Sequence, residues 1–521
     1  MPPTSLMPEW LSAMPNEGGQ DFFGFRYLRQ TGRKYVLGRA ASNQFRCAKT
    51  LLIYPAIIAE FRRQNKLPLE HNGNYENLKE PILRKWQYWF QTAHYLYTTY
   101  NAYRGNTIDA GFTGSITESA NVITPFMEQK ETLDIKRRLK AFYGTRPFGY
   151  YLQYWISPMG YYNAVLDIRH AVPGKYSEMA WEVMSSNPQW RGFIKAIEAG
   201  VVSSATYAQL GNLLDVNKLN EAEIKLVQMM ILDKGGFGGE VAREGYLETC
   251  KQFKNLFEEY IVSEKEGFGE SALSLYTYRS IHCVNQYSSM EGIWRMLCSS
   301  FCLETGIVAM LRRALGGSGV LLKSSDVEKV FRQDLVVWRA QNKLHSSKYL
   351  DLLKEFRGKK CASWKDIHKT LFEEVEGEEN WLDGIVMGGL INESNIFSEQ
   401  DAFATQAYHN LTGDYYPFNP KHLFANKIQA NADFDDAVVS FCLNMLKEQY
   451  DYALLRMMMG QVPKYILTPY EESGKFKVEV NFNEIQVFYG IRDFINSTIS
   501  LWLSAKLFEL KTEKLRACYD F

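Results

Sequence analysis

The chain lacks an excess of charge of either sign: 59 Lys and Arg stand against 59 Asp and Glu in 521 residues. Such a balance gives no global field toward nucleic acid or an anionic bilayer, so contact with either requires a local patch. Eight cysteines are present and no two have C-x-x-C spacing, which excludes the zinc-ribbon and thioredoxin patterns. In a chain this long they read as reduced thiols packed in cores. Cys298 and Cys302 lie one helical turn apart, but no matching His or Cys pair accompanies them, and a core role follows. No uncharged apolar run is long enough to span a bilayer; clusters such as Leu51 to Ala59 and Ile307 to Leu311 are too short. The N-terminus has neither the basic start nor the apolar middle of a secretory leader, so a cytoplasmic location is expected.

Catalytic signatures are missing as well. There is no G-x-x-x-x-G-K-[ST], no G-x-S-x-G, no H-E-x-x-H and no EF-hand loop. The run Lys234-Gly-Gly-Phe-Gly-Gly-Glu lacks phosphate-loop order and reads as a hinge or helix stop. Asp414, Asp433, Asp435 and Asp436, with His409 and His422, match no familiar ligand spacing and read as solvated loop. Arg279 and His282 form a minimal basic and imidazole pair of the kind that cleaves RNA, but an apolar helix around them favours a core histidine. A nuclease-like D…E-x-K set needs carboxylates to hold a divalent cation and a lysine to stabilise charge. Asp109, Glu128 and Lys130 are the best fit, although Pro125 interrupts the strand they would need. Glu223 with Lys225 and Glu509 with Lys511 repeat the triplet in helix-like context. No cofactor or metal is implied.

What the chain does have is 46% hydrophobic and 14% aromatic content, with 32 Tyr and 31 Phe. That composition demands folded cores and suits interfaces, so protein partners or a homo-oligomer are expected. The length predicts several domains: an N-terminal helical region 1–130, a module 131–190, a helical domain 191–315 and a mostly helical domain 320–521, with Gly316 to Gly319 as linker. Periodicity predicts helices over Ala48 to Arg63, with Pro55 kinking it or moving its start, and from Pro81 to about Tyr103. The second carries an aromatic stripe (Trp86, Trp89, Phe90, Tyr97) that could stack bases and is better read as core. Gly105 to Asn121 reads as a loop. Two helical spans follow at Glu244 to Val262 and Gly269 to Leu315, the latter cut near Gly292. Strict alternation from Phe476 predicts a strand, and Ile491 to Leu515 a closing helix. The fold class is therefore mostly α and multi-domain, with a small C-terminal β element.

One stretch, Leu133 to Ser185, gathers several local signals. Leu133, Ile135, Leu139 and Phe142 line one helix face, with Lys136, Arg137, Arg138 and Lys140 on the other. Gly144 and Pro147 end or bend that helix. An aromatic segment Phe148 to Trp155, a Ser157-Pro158-Met159-Gly160 turn, a β-leaning run Tyr161 to Val172 and a Pro173-Gly174 turn come next, before a helix capped by Ser177. Helix, helix, ribbon, helix is the order of a winged helix, whose ribbon can touch a phosphate backbone. Phosphate contacts would come from Arg137, Arg138, Lys140, Arg169 and Lys175. The alternative is a module that packs protein and keeps these charges merely solvated.

Three segments carry a family resemblance: FRCAKTLLIYPAIIAEF (45–61), PGKYSEMAWEVM (173–184) and AGVVSSATYAQLGNLLDVNKLNEAEIKLV (199–227). Together they resemble uncharacterised proteins of bacterial anti-phage defence islands, over about the first half of the chain. The resemblance implies a non-catalytic subunit beside an ATPase, helicase or nuclease partner, and assigns no residue a role. The expected function is a scaffold or nucleic-acid-sensing subunit that contacts DNA or RNA and no membrane. The alternatives are a metal-dependent nuclease effector and a purely structural docking protein.

Overall fold

Helix starts follow their capping chemistry. Asn220 accepts the Glu223 N–H while Glu223 accepts the Asn220 N–H, and Ser363 and Asp366 exchange the same pair, each satisfying orphan donors of a first turn. Pro81 occupies the first turn of the longest N-terminal helix, where its missing N–H costs nothing. A computed structural model of the protein describes residues 32–33, 36–37, 45–69, 77–106, 113–144, 148, 155–233, 240–260, 267–282, 289–374, 381–393, 432–458, 465–470, 474–484, 490–511 and 514–517. Asp109, His409, Asp414, His422, the Gly-rich run 234–239, the first 31 residues and most of 145–154 lie outside them.

The architecture is mostly helical with small antiparallel sheets. In chain order come α1 (Thr50–Gln64), α2 (Glu80–Tyr103), α3 (Thr113–Glu118), a π-turn (Ser119–Ile123), α4 (Thr124–Gln129), β1 (Thr132–Asp134) and α5 (Ile135–Tyr143). Next are α6 (Ile156–Tyr161), β2 (Val165–Asp167), β3 (Val172–Pro173), α7 (Ser177–Ser185), α8 (Trp190–Ala199) and β4 (Val201–Ser203). Then follow α9 (Ser204–Gln209), α10 (Gly211–Leu214), α11 (Glu221–Leu232), α12 (Glu240–Glu259), α13 (Phe268–His282) and α14 (Ser289–Leu315). After these stand β5 (Leu321–Leu322), α15 (Ser324–Asn342), α16 (Tyr349–Lys360), α17 (Trp364–His368), α18 (Trp381–Glu393) and α19 (Phe434–Met458). The chain closes with β6 (Leu467–Tyr470), β7 (Lys475–Val478), α20 (Gly490–Ser504), β8 (Phe508–Lys511) and β9 (Lys514–Ala517).

Two compact units divide the chain, Arg33–Gly269 with Gly490–Phe521, and Met1–Gly32 with Glu270–Tyr489. Several sequence expectations need correcting. Residues 113–121, within the stretch read as loop, are helix and π-turn. The run Tyr161 to Val172 is not one extended segment: Tyr161 ends α6, and Pro158 sits in that helix's first turns, where no N–H is needed. Ser177 is the first residue of α7 and not its cap; its hydroxyl accepts the Gly174 N–H at 2.9 Å and donates to the Ala164 carbonyl at 3.1 Å. Gly316 and Gly319 are no linker. Both have positive φ, 62° and 83°, and Gly319 donates to the Val478 carbonyl, turning α14 into the β5–β7–β6 sheet of its own unit. Pro55 lies inside α1. The closing helix stops at Ser504, Lys506 adopts φ 55°, and Glu509 to Lys511 are strand.

In the unit Arg33–Gly269 with Gly490–Phe521, α1 is buried on nearly every side. The aromatic stripe of α2 is core: Trp86, Trp89, Phe90, Tyr95 and Tyr97 are all buried. Tyr54, Phe90, Tyr143 and Trp155 surround His94, whose Nδ1 is 2.6 Å from the Tyr54 hydroxyl. Burial drives the His94 imidazole down to about 3, because a charged ring in an aromatic box is poorly solvated. Lys49, also fully buried, donates to Glu223 at 2.8 Å and to the Lys218 carbonyl at 2.9 Å. It ties the entry of α1 to that of α11, and desolvation lowers its pKa despite the carboxylate.

In the unit Met1–Gly32 with Glu270–Tyr489, α14 and α18 touch backbone to backbone. A Cβ on Gly384 would lie 2.7 Å from the Cys302 carbonyl oxygen and 2.8 Å from the Gly306 nitrogen. Arg295 is buried with them, and its Nη2 donates to the carbonyls of Ser280 at 2.9 Å and Ile391 at 3.3 Å. Those carbonyls belong to the last turns of α13 and α18, where the helix dipole is negative. Segment Glu291–Leu315 is apolar and long enough to cross a bilayer, but 89% of its most apolar window is buried in the protein, as in a core helix. Cys298 and Cys302 face that core as expected, and burial pushes the Cys298 thiol up to about 12.

Two measurements check these packings. Gly384→Ala should lower unfolding stability by about 1–3 kcal/mol through overpacking, whereas Gly358→Ala, where a Cβ meets nothing within 4 Å, should be neutral or stabilise by up to about 1 kcal/mol; equal urea midpoints for the two would contradict the contact. For His94, the folded state holds no proton above about pH 3, while the unfolded imidazole titrates near ~6.5. Stability is therefore complete above that value and falls by about 1.4 kcal/mol per pH unit below it. Between pH 7 and pH 5 the natural chain should lose about 2 kcal/mol more than His94→Gln does in urea unfolding.

Candidate nucleic-acid interface

β1 pairs antiparallel with β4, Thr132 opposite Ser203 and Asp134 opposite Val201. The pairing brings Gly200 against the start of α5, and its carbonyl accepts the N–H of Ile135 at 2.9 Å and of Lys136 at 3.2 Å. Gly200 has φ +67°, and a Cβ there would meet the Tyr88 hydroxyl at 1.9 Å, so only glycine fits. Asp134 caps α5 by accepting the Arg137 N–H, and Gly144 at φ 55° ends it. Ile135, Leu139 and Tyr143 are the buried face, at i, i+4 and i+8.

The opposite face exposes Lys136, Arg137 and Lys140. Arg137 side chain is 86% exposed, with Asp134 3.0 Å away; a pair this open is screened and weak. Lys136 and Lys140 have no ion pair among the described residues. Past Gly200, α8 turns Arg191 and Lys195 to solvent opposite its buried Phe193, Ile194 and Ile197. Sequence reading missed these two, though their i, i+4 spacing was visible; the β1–β4 pairing that draws α8 to α5 was not.

Arg138 is different. It grips Glu118 with both nitrogens, at 2.8 and 3.0 Å, and Glu118, only 12% exposed, also accepts the Tyr95 hydroxyl at 2.9 Å. Hydrogen bonding to Glu118 raises the Arg138 pKa. Lys175 pairs with Asp233 at 2.9 Å, beside Tyr176, whose hydroxyl donates to the same oxygen at 2.6 Å. Arg169 is exposed in the β2–β3 turn. The tip of that hairpin packs inward: Ile168 and Ala171 are fully buried, Trp86 donates to the Ile168 carbonyl at 2.5 Å and Arg62 to that of Ala171 at 3.1 Å. The structure thus groups Arg137 and Lys140 with Lys136, ties Arg138 into α2 and α3, and puts Lys175 beside the end of α11.

The other sequence candidates resolve simply. Glu128 is exposed near the end of α4, and Lys130 caps that helix at φ 56°. Glu223 is committed to Lys49. Arg279 pairs with Glu291 at 3.0 Å, and His282 is exposed, not core, with Nε2 donating to the Cys361 carbonyl at 2.6 Å. Asp433 caps α19, while Asp435 and Asp436 pair with Arg339 and Arg332. Among the described residues no group of three His, Cys, Asp or Glu could hold a metal ion. No family model, curated protein or solved structure matches the chain.

Truncation should separate the two neighbouring arginines. Arg138→Ala should cost about 1–3 kcal/mol of stability by stranding a largely buried carboxylate, while Arg137→Ala should stay within about 0.5 kcal/mol. Matching urea midpoints for the two variants would refute the structural role given to Arg138.

Proposed function

We propose that the chain is a non-catalytic subunit that contacts nucleic acid through the outer face of α5. The carrying observation is the run Lys136, Arg137 and Lys140, exposed on one face and, apart from the open Asp134 contact, without an ion-pairing carboxylate among the described residues. In a chain of zero net charge such a run is a local field, of the kind that binds phosphate backbones. The winged-helix-like reading of 131–190 enters through its helix, not its ribbon, because the ribbon's tip is occupied with α1 and α2. Membership of an anti-phage defence complex, beside an ATPase, helicase or nuclease, rests on the resemblance of the first half of the chain. The nuclease reading has no supporting geometry among the described residues: Glu128 and Lys130 stand at a helix end, outside any described group of carboxylates that could hold a metal ion.

The test is binding of a labelled DNA duplex over a salt series. The natural chain should show a linear loss of log K with log salt, and Lys136→Ala/Arg137→Ala/Lys140→Ala should reduce the slope by about 2–3. Salt-independent binding, or none at low salt, would sink the proposal; metal-dependent cleavage that co-elutes with the protein would replace it.

A further inference from the structure

Between residues 343 and 369 the sequence holds eight Lys and Arg against three Asp and Glu. Nothing in the balance of the whole chain accounts for that local excess. The structure folds the loop after α15 back onto α16. Glu355 accepts the N–H groups of His345 at 2.9 Å and Ser346 at 3.2 Å and takes the Lys359 ammonium at 2.8 Å. Those bonds, Lys359 foremost, hold the Glu355 carboxyl down at about 2. Lys359 also donates to the Lys343 carbonyl, so Lys343, which ends α15 at φ 53°, stands beside Lys359.

Among the described residues, the carboxylates of the neighbouring α19 start are already engaged. Asp433 faces the N–H groups of its own helix start, at 2.9 and 3.2 Å. Asp435 binds Arg339, which also donates to the Ser346 carbonyl, and Asp436 binds Arg332. Lys343, Lys348 and Arg357 are left with no carboxylate partner among the described residues. Lys343, Lys348 and Lys354 are exposed, and Lys354 meets only an open Asp351 at 3.6 Å. Lys348 and Lys359 lie on the same flank of α16, about 16 Å apart at 1.5 Å per residue. Over that distance one duplex strand presents a phosphate every ~3.4 Å. The cations in the last turn of α16 also favour that helix's own dipole; Lys343 and Lys348 lie before the helix and gain nothing from it.

We propose that α16 and the loop before it form a second cationic surface that takes a nucleic-acid backbone. It extends the proposed nucleic-acid role to the unit containing Glu270–Tyr489, and it does not require α5.

The test is fluorescence anisotropy of a labelled DNA duplex with the full chain over a potassium chloride series. Three proteins are compared with the natural one: Lys343→Asn/Lys348→Gln/Lys354→Gln, the charge-keeping Lys343→Arg/Lys348→Arg/Lys354→Arg, and the α5 triple alanine variant. Asparagine tolerates the left-handed backbone at 343. Loss of the three charges should lower the salt slope by about 2–3, with the arginine variant unchanged and urea midpoints equal. A slope that stays put in the neutral variant overturns the proposal, whatever the α5 variant does. A neutral variant that loses binding while the α5 variant does not upholds this surface and removes the α5 reading. Loss confined to vesicles of phosphatidylserine, with duplex binding intact, overturns it in favour of a membrane contact.

Discussion

A single backbone carbonyl sets the direction of the cationic face. At nine residues α5 is too short to be stable alone in water. It is held at its start by the Gly200 carbonyl and the Asp134 cap, along one flank by Arg138 on Glu118, and at its end by the Tyr143 hydroxyl on the Gln91 carbonyl. The Gly200 contact exists because β4 pairs with β1 and because Tyr88 occupies the space a side chain at 200 would fill. Rotation of α5 by one residue would turn Leu139 outward and a lysine inward. The chemistry offered to solvent is thus decided by a glycine well away in the sequence.

Buried polar groups are handled in three ways, each with its own physics. Lys49 keeps its charge opposite Glu223, so the pair must stay intact or leave an ion stranded. Arg295 donates to carbonyls in the last turns of two helices, where the helix dipole is negative. His94 gives up its charge, since burial leaves the imidazolium poorly solvated. The first two join elements distant in sequence.

How far the sequence reveals this depends on range. The start at Pro81 and the inward stripe of α2 are local, carried by spacing over a few residues, and both are where the pattern puts them. The outward face of α5 is legible for the same reason. Arg138 is not, because its partner Glu118 lies 20 residues back in a stretch whose Gly, Ser and Thr content reads as loop. Lys175 is not, because Asp233 is 58 residues on. Each unit draws on two stretches of chain, and composition changes along a sequence carry no mark of which distant segments return to pack together. Glycines mislead in the same way: Gly316 and Gly319 look like a hinge, and their positive φ instead builds a turn into a sheet.

The cysteines follow from the same burial. Cys47 and Cys250 sit in one unit, and Cys298, Cys302, Cys361 and Cys442 in the other. Burial pushes the latter four thiols upward, so at neutral pH they are protonated and sealed from alkylating reagents. Each becomes reactive only when its surroundings open. The rate at which they are alkylated in the native protein is therefore an internal clock for opening, one that keeps separate time for each half of the molecule.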